Sequence, residues 1–597
     1  MPGINCLINA KGITPQNRNT IDLHLQRFGA TFPHLQLANF MPCSEVLLTF
    51  SQHQGYQVYT ESYKGWQIFH ELQDNILITQ TVTDILEQVE NNSISLANLR
   101  KSWNMLLHNT YESFFLLAVN PDLHKIIFAN DALARLPIYY TQQKDCFILG
   151  RDISWVKAIS DQLTLNPLFM ALYLSNAYIP GRGTFYQEID TLASGTFAIY
   201  DWLTDDLQMI SQPNMRFVEP LAGRAEKKRL NELVETFMDV CVSYRTKLPK
   251  LLSLSGGMDS RCVAGALQQK SIDFVPISFL DFQKEVKDDV FIASQIAELY
   301  HKSHNVIQLS LCEPEHYEKL FYLKAGLNYL PVAMFLQYLE KILAQYPQSA
   351  LFLTGDGGDK VMRYLLPDKE LADEKQWLNY WYSQNAIIPT KDSAAIFGIL
   401  EKEMDEYLLN HLSTYPTGNY NYKYASAILA ERSARWAFEG EDRNRYFFRS
   451  ETPFFDFRFY QLAMQIPMEQ KKDNVLYYNF LYALSPSLAK LRYARYQWSP
   501  AKMRNIFYRI LVNQTRKIRL KYRSHKEAIN HQQSFAEQDY IINWILEQSQ
   551  KSIVKEIMPG AKSFLNLEYL QNLSPSQLGT LFTSISVITG GPISPQK

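Results

Sequence analysis

LLSLSGGMDSRCVAGAL, residues 251–267, is the stretch whose reading decides the fold. The apolar run at 251–254 predicts a strand, Gly256 and Gly257 a turn, and the residues from Asp259 and Ser260 onward an amphipathic helix. A strand feeding a glycine turn and a helix N-terminus makes an anion site. The glycines admit close backbone approach, and the first helical N–H groups point at the ligand with the dipole behind them. Hydroxyls at Ser255 and Ser260 and a carboxylate at Asp259 suggest a phosphate with Mg²⁺. No Gly-Lys-Ser/Thr follows, so this is not a Walker-type loop, and no G-x-G-x-x-G is present to bind a dinucleotide.

Downstream, the strand candidates at 274–279, 305–310 and 350–355 alternate with helical patterns at 288–302 and 331–346. Alternation of this kind predicts a parallel α/β sheet, whose ligands bind beyond the C-terminal ends of its strands. A second glycine-rich turn, TGDGGDK (354–360), falls at such an end, as SGGMDS does. Residues 376–500 read as mainly helical. From Lys502 to about 526 the chain is basic, which we read as a solvated helix face. Residues 536–590 are helical by pattern.

Upstream, residues 1 to about 210 are rich in short strands: VLLTF (46–50), FFLLAVN (114–120), KIIFAND (125–131), PIYYT (137–141), CFILG (146–150) and GTFAIYD (195–201). Their close spacing predicts antiparallel sheets stacked in layers, with a helix at 82–92. The pattern lapses at 205–225, and a new helix begins near Glu226. The chain's 597 residues exceed one ordinary core. We therefore divide it into 1–210, 211–505 and a helical extension, 506–597.

A net charge of −1 gives no whole-chain argument for nucleic acid or membrane. No apolar run reaches membrane-spanning length, and the N-terminus lacks the apolar core of a signal peptide. The six cysteines are scattered without a C-x-x-C pair, which suits reduced thiols in a cytoplasmic protein.

Several motifs in order carry a family resemblance. SGGMDS resembles the S-G-G-x-D-S pyrophosphate loop of the asparagine synthetase B superfamily, and TGDGGDK resembles its second loop, S-G-E-G-A-D-E. PFFD (453–456) and RYQWS (495–499) resemble its later P-F-L-D and K-x-Q-F-S. NDALARLPIYY (130–140), GRDISWVKAI (150–159) and TFYQEIDTLASG (184–195) resemble segments of its glutaminase-type domain.

The resemblance implies α+β followed by α/β: a layered, Ntn-amidotransferase-like front domain, then an ATP-pyrophosphatase domain with a helical C-terminal part. It implies ATP and Mg²⁺, adenylation of a carboxylate, and attack by an amine to form an amide. Under it, Asp259 and Asp359 hold Mg²⁺. Leu254, Ser255, Gly256, Gly257, Asp259, Ser260, Ser278, Thr354 and Gly355 contact the nucleotide, and Asp356 and Arg495 serve the chemistry.

The chain also departs from the family. The family opens M-C-G-I, with a cysteine nucleophile whose α-amine is the base. This chain reads Met1-Pro2-Gly3-Ile4, and its nearest thiol is Cys6. H-R-G-P-D and N-G-E-I-Y-N segments are missing, YKGWQIFHE (63–71) being the nearest remnant of the second. Arg495 stands where the family has a lysine, Asp356 where it has Glu, and Lys360 replaces the loop's final Glu. EDRNRY (441–446) is what represents D-R-M-S-M-A. The front domain is therefore expected to be a non-hydrolysing scaffold.

Three functions stay open. One is an asparagine synthetase-related amide ligase making asparagine or a similar amide from free ammonia and a small-molecule or peptide carboxylate. Another is an intramolecular cyclase of β-lactam-synthetase or lasso-peptide-cyclase type, using a substrate amine. The last is a nucleotide-binding scaffold without turnover. Self-association is also left open.

Overall fold

The computed structural model describes residues 3–71, 80–90, 96–212, 226–244, 246–494, 498–512, 514 and 535–592. Its front half contains twelve strands: β1 (Gly3–Asn9), β2 (Gln36–Cys43), β3 (Val46–Gln52), β4 (Tyr59–Tyr63), β5 (Trp66–His70), β6 (Phe115–Asn120), β7 (Lys125–Asn130), β8 (Tyr139–Gln143), β9 (Cys146–Gly150), β10 (Asp190–Thr191), β11 (Thr196–Asp201) and β12 (Asp206–Ser211). They form two antiparallel six-stranded sheets, ordered β10-β8-β9-β1-β3-β2 and β12-β11-β7-β6-β5-β4.

Period-two alternation places the sheets face to face. Cys6, Ile8 and Leu48 of one meet Phe115, Leu117 and Phe128 of the other in a single buried cluster. The alternate residues point outward and are covered by helices. Leu7 and Leu47 share a core with Ile21 and Phe28 of helix Pro15–Thr31. Ile68 and Leu116 share one with Val82 and Trp103 of helices Gln80–Glu90 and Leu96–Asn109.

After helix Glu226–Ser243 comes the parallel sheet: β13 (Lys250–Ser253), β14 (Val275–Leu280), β15 (Asn305–Gln308), β16 (Leu351–Leu353) and β17 (Arg449–Glu451), in the order β15-β14-β13-β16-β17. The expected fold class is what the structure shows, antiparallel layers first and a parallel sheet with helices second.

Strand β17 lies inside the stretch read as mainly helical. Its residues, Arg449-Ser450-Glu451, are polar and all buried, so no apolar run announces them. The expected helix at 331–346 opens instead as a 3₁₀ turn, Leu330–Ala333, before the α-helix Met334–Gln345. Helix Pro575–Thr589 is buried from Leu578 to Ile588 and packs in the same core as Leu320, Leu336 and Met170. Most of the basic segment, residue 513 and everything from 515 on, lies outside the described residues. No described helix is long and apolar enough to cross a membrane.

Candidate active site

In the order β15-β14-β13-β16-β17, the direction of winding reverses between β13 and β16. That switch point is where an open parallel sheet leaves a crevice beyond its strand ends. Both glycine turns leave from it, SGGMDS after β13 and TGDGGDK after β16.

The first turn folds onto itself. The Ser255 N–H donates to Ser260 Oγ at 3.0 Å, and the Gly257 N–H donates to Ser255 Oγ at 3.2 Å. Gly257 caps helix Met258–Gln269 with no side-chain acceptor, which leaves the first N–H groups of that helix uncapped. The second turn presses against the first backbone to backbone. A Cβ on Gly355 would lie 2.3 Å from the Ser260 nitrogen, so only glycine lets the loops meet. Gly357, at φ +91°, turns the chain into the short helix Gly358–Val361, which carries Asp359.

The two turns wall one side of a cavity of about 510 Å³. Ser255, Asp259, Ser260, Thr354, Gly355, Asp356 and Asp359, all anticipated from the sequence, line it together. Leu254 is buried beneath the strand end, its N–H donating to the Ile277 carbonyl at 2.8 Å. Gly256 and Gly257 shape the turn without lining the cavity. Ser278 is outside the cavity wall too: its hydroxyl lies 2.6 Å from the Leu254 carbonyl and 2.7 Å from His304 Nε2. Arg495 lies outside the described residues.

The acids have distinct surroundings. Asp259 receives a short hydrogen bond from the Tyr477 hydroxyl. Enclosure, and then the nearby Asp359 carboxylate, push the Asp259 carboxyl up to about 6. Asp359 pairs with the ammonium of Lys360. Asp356 is open to the cavity but walled in by protein. That enclosure raises its pKa above the ordinary carboxylate value, while Thr354 Oγ1 donates to it at 3.2 Å.

Mg²⁺ binds through one or two protein carboxylates together with phosphate oxygens and water. Two acids that repel one another beside the first glycine turn fit that requirement, and Asp259 and Asp359 would be the residues to hold the ion. Among the described residues no cluster of three or more His, Cys, Asp or Glu ligands is present.

Most of the opposite wall was not singled out in the sequence; EDRNRY (441–446), which holds Arg443 and Asn444, was named there without a role at the site. This wall includes Asn328, Val332, Phe335 and Tyr338, with Trp436, Arg443 and Asn444. Trp436 ends a π-helical stretch, Ile428–Ala437, that runs into helix Phe438–Asn444. Irregular helices of this kind recur at functional sites. Arg363, just past the second loop, is within electrostatic reach of Asp259 and Asp359.

In the front half, the motifs that carry the resemblance hold the interface. Asp131 accepts from the Leu133 and Arg135 N–H groups. Arg135 pairs with Glu441 at 2.8 Å and Glu451 at 3.2 Å. Arg151 pairs with Glu71 at 3.0 Å and Asp442 at 2.6 Å, both ion pairs fully buried. Glu71 also accepts from the Ile4 N–H at 2.8 Å and the Tyr56 hydroxyl at 2.6 Å, and a Cβ on Gly3 would lie 2.6 Å from Glu71 Oε1. Cys6 is sealed between the sheets, where burial raises its thiol pKa far above the ordinary value.

No protein-family model and no curated protein sequence matches the chain. Among solved structures, similarity is found to a glutamine phosphoribosylpyrophosphate amidotransferase from B. subtilis, complexed with ADP and GMP. Identity is 10% and the TM-score 0.22, over 46% of this chain and 64% of that one, less than two thirds of its length. An allosteric regulatory enzyme of purine biosynthesis overlaps at 10% identity and TM-score 0.22, over 51% of this chain and 80% of that one. An NMN synthetase from Francisella tularensis overlaps at 15% identity and TM-score 0.18, over 35% of this chain and 95% of that one. Overlaps at these scores establish neither family nor activity for this chain.

Proposed function

We propose that this protein is an ATP-dependent amide ligase that adenylates a carboxylate and transfers the acyl group to an amine. One observation carries the reading. Two glycine turns at the switch point of a parallel sheet converge on a single cavity and bring Asp259, Asp356 and Asp359 to its wall.

In the proposed reaction a carboxylate oxygen attacks the α-phosphorus of ATP. The bond from that phosphorus to the α–β bridging oxygen breaks, and pyrophosphate leaves toward the uncapped N–H groups of helix Met258–Gln269. Asp259 and Asp359 would hold Mg²⁺, which when bound neutralises charge on the leaving pyrophosphate. An amine then attacks the acyl carbon, AMP departs, and a proton is lost from nitrogen. To Asp356, whose pKa is raised by enclosure, this reading assigns the role of receiving that proton. Arg495 is assigned to phosphate charge by the resemblance alone.

The front half, in this reading, does not hydrolyse glutamine. Its Cys6 is buried, and Glu71 and Arg151 fill the space beside Gly3. The amine therefore enters through the cavity mouth, as free ammonia or on a substrate.

The test is ATP–pyrophosphate exchange with MgATP and a panel of carboxylates. Exchange with at least one acid, abolished in Asp259→Ala, is expected. Ammonia should support amide formation where glutamine does not. ATP binding without exchange for any acid would leave a nucleotide-binding scaffold and overturn the ligase reading.

A further inference from the structure

The chain buries several arginines, and they are not treated alike. Arg135 and Arg151 each pair with two carboxylates. Arg261 donates to four backbone carbonyls, those of Leu488, Leu491, Gly256 and Arg492. Arg443 is 7% exposed, yet among the described residues no carboxylate lies within ion-pairing distance of it. Its Nη1 donates to Asn328 Oδ1 at 3.2 Å and its Nη2 to Asn444 Oδ1 at 3.0 Å, both neutral amides, and its Nε–H has no acceptor.

Asp356 is within electrostatic reach of Arg443 but does not pair with it, and a buried charge so weakly neutralised is costly unless something else supplies the charge. Burial pulls the guanidinium down to about 10, still charged at neutral pH. The residue lines the cavity, so the missing partner can enter from there.

The surroundings say what else that partner carries. The guanidinium carbon sits 5.0 Å above the Phe335 ring. Val332, Tyr338 and Trp436 continue the same wall. Of the cations that line the cavity, Arg432 is exposed and Lys360 is paired with Asp359, so the wall offers one buried cation, Arg443, for one anionic group, and apolar surface beside it. We propose that Arg443 anchors the carboxylate of the acid substrate, and that this substrate is a monocarboxylate with an aromatic or bulky apolar body. This rests on the ligase reading above and names its acid.

The experiment has two arms. In the first, 3-phenylpropanoate, hexanoate, L-aspartate and L-glutamate are compared in ATP–pyrophosphate exchange. The apolar acids should be preferred. Arg443→Gln, which keeps an amide beside Asn328 and Asn444, should raise the KM for the acid at least ~10-fold, with Arg443→Lys in between. The KM for ATP should stay within ~2-fold, since the variants do not touch the phosphate loops. Preference for the dicarboxylates, or a change confined to the ATP KM, would overturn the proposal.

In the second arm, binding of 3-phenylpropanoate is followed by saturation-transfer NMR in the presence of α,β-methylene ATP, with thermal unfolding as a fold control. Binding that is lost in Arg443→Gln supports the anchor even if no exchange occurs, in which case only the ligase reading falls. Equal binding by wild type and a folded Arg443→Gln, or no binding to wild type, refutes the anchor while leaving the Asp259→Ala result untouched.

Discussion

Lys471 is fully buried, and among the described residues its ammonium donates only to the Val361 carbonyl, at 2.8 Å. Burial alone pulls it from 10.5 down to about 7. A fall of that size corresponds to ~5 kcal/mol carried against folding by the charged form. Lys471→Met keeps the length and the stem, removes the charge, and gives up one hydrogen bond worth ~1 kcal/mol. The variant should therefore be more stable than wild type by ~3 kcal/mol at pH 6–7.

The pH dependence has a definite sign. Between about 7 and 10.5 the unfolded chain holds a proton that the folded one has released, so wild-type stability rises with pH across that window by up to ~1.4 kcal/mol per unit. The gap between variant and wild type should close accordingly by pH 10. Urea unfolding followed by tryptophan fluorescence, at pH 6, 7, 8, 9 and 10, measures it. A variant less stable than wild type, or a gap that does not change with pH, would refute the reasoning.

Other outcomes follow from the same structure. Arg151→Met should cost ~3–5 kcal/mol, because it leaves Glu71 and Asp442 as buried charges that have lost a partner. Glu71→Gln and Asp442→Asn added to it should recover most of that loss in urea unfolding, and no recovery would count against the pairing argument. Cys6 should resist iodoacetamide at pH 8 in the folded protein, as peptide mass mapping would show. Rapid alkylation of Cys6, or a glutaminase activity lost in Cys6→Ala, would contradict a sealed thiol.

Most of the parallel sheet was legible because four of its five strands announce themselves as apolar runs. β13 overlaps the run at 251–254 and β16 falls within 350–355, each followed by its glycine loop. Of the seven loop residues that share the cavity, Ser255, Asp259 and Ser260 could be named from residue types at the first turn, and Thr354, Gly355, Asp356 and Asp359 only from the resemblance of TGDGGDK to a family loop. Ser278 could not be placed so well: β14 was visible, but whether its hydroxyl faced the cavity or the neighbouring Leu254 carbonyl depends on packing between strands. The far wall was illegible for a different reason. EDRNRY was matched to a family segment, and nothing in that match says that Glu441, Asp442, Arg443 and Arg445 are all buried. Glu441 and Asp442 find counter-charges in Arg135, Arg151 and Lys324, more than a hundred positions away, and no local pattern reports those.

Those distant charges also bear on why the front half matters to the cavity. Helix Phe438–Asn444 points Glu439, Glu441 and Asp442 into a buried network with Arg135, Arg151, Lys324 and the Tyr139 hydroxyl. The same short helix presents Gly440, Arg443 and Asn444 to the cavity. Buried ion pairs add little net stability over apolar packing, but they resist any displacement that would separate a charge from its partner. In the proposed reading, where the front half does not hydrolyse glutamine, it can thus still set the position of the wall that holds Arg443. On that account, losing Arg151 should disturb acid binding more than ATP binding, although Arg151 touches neither, because Asp442 and Arg443 are adjacent on one helix.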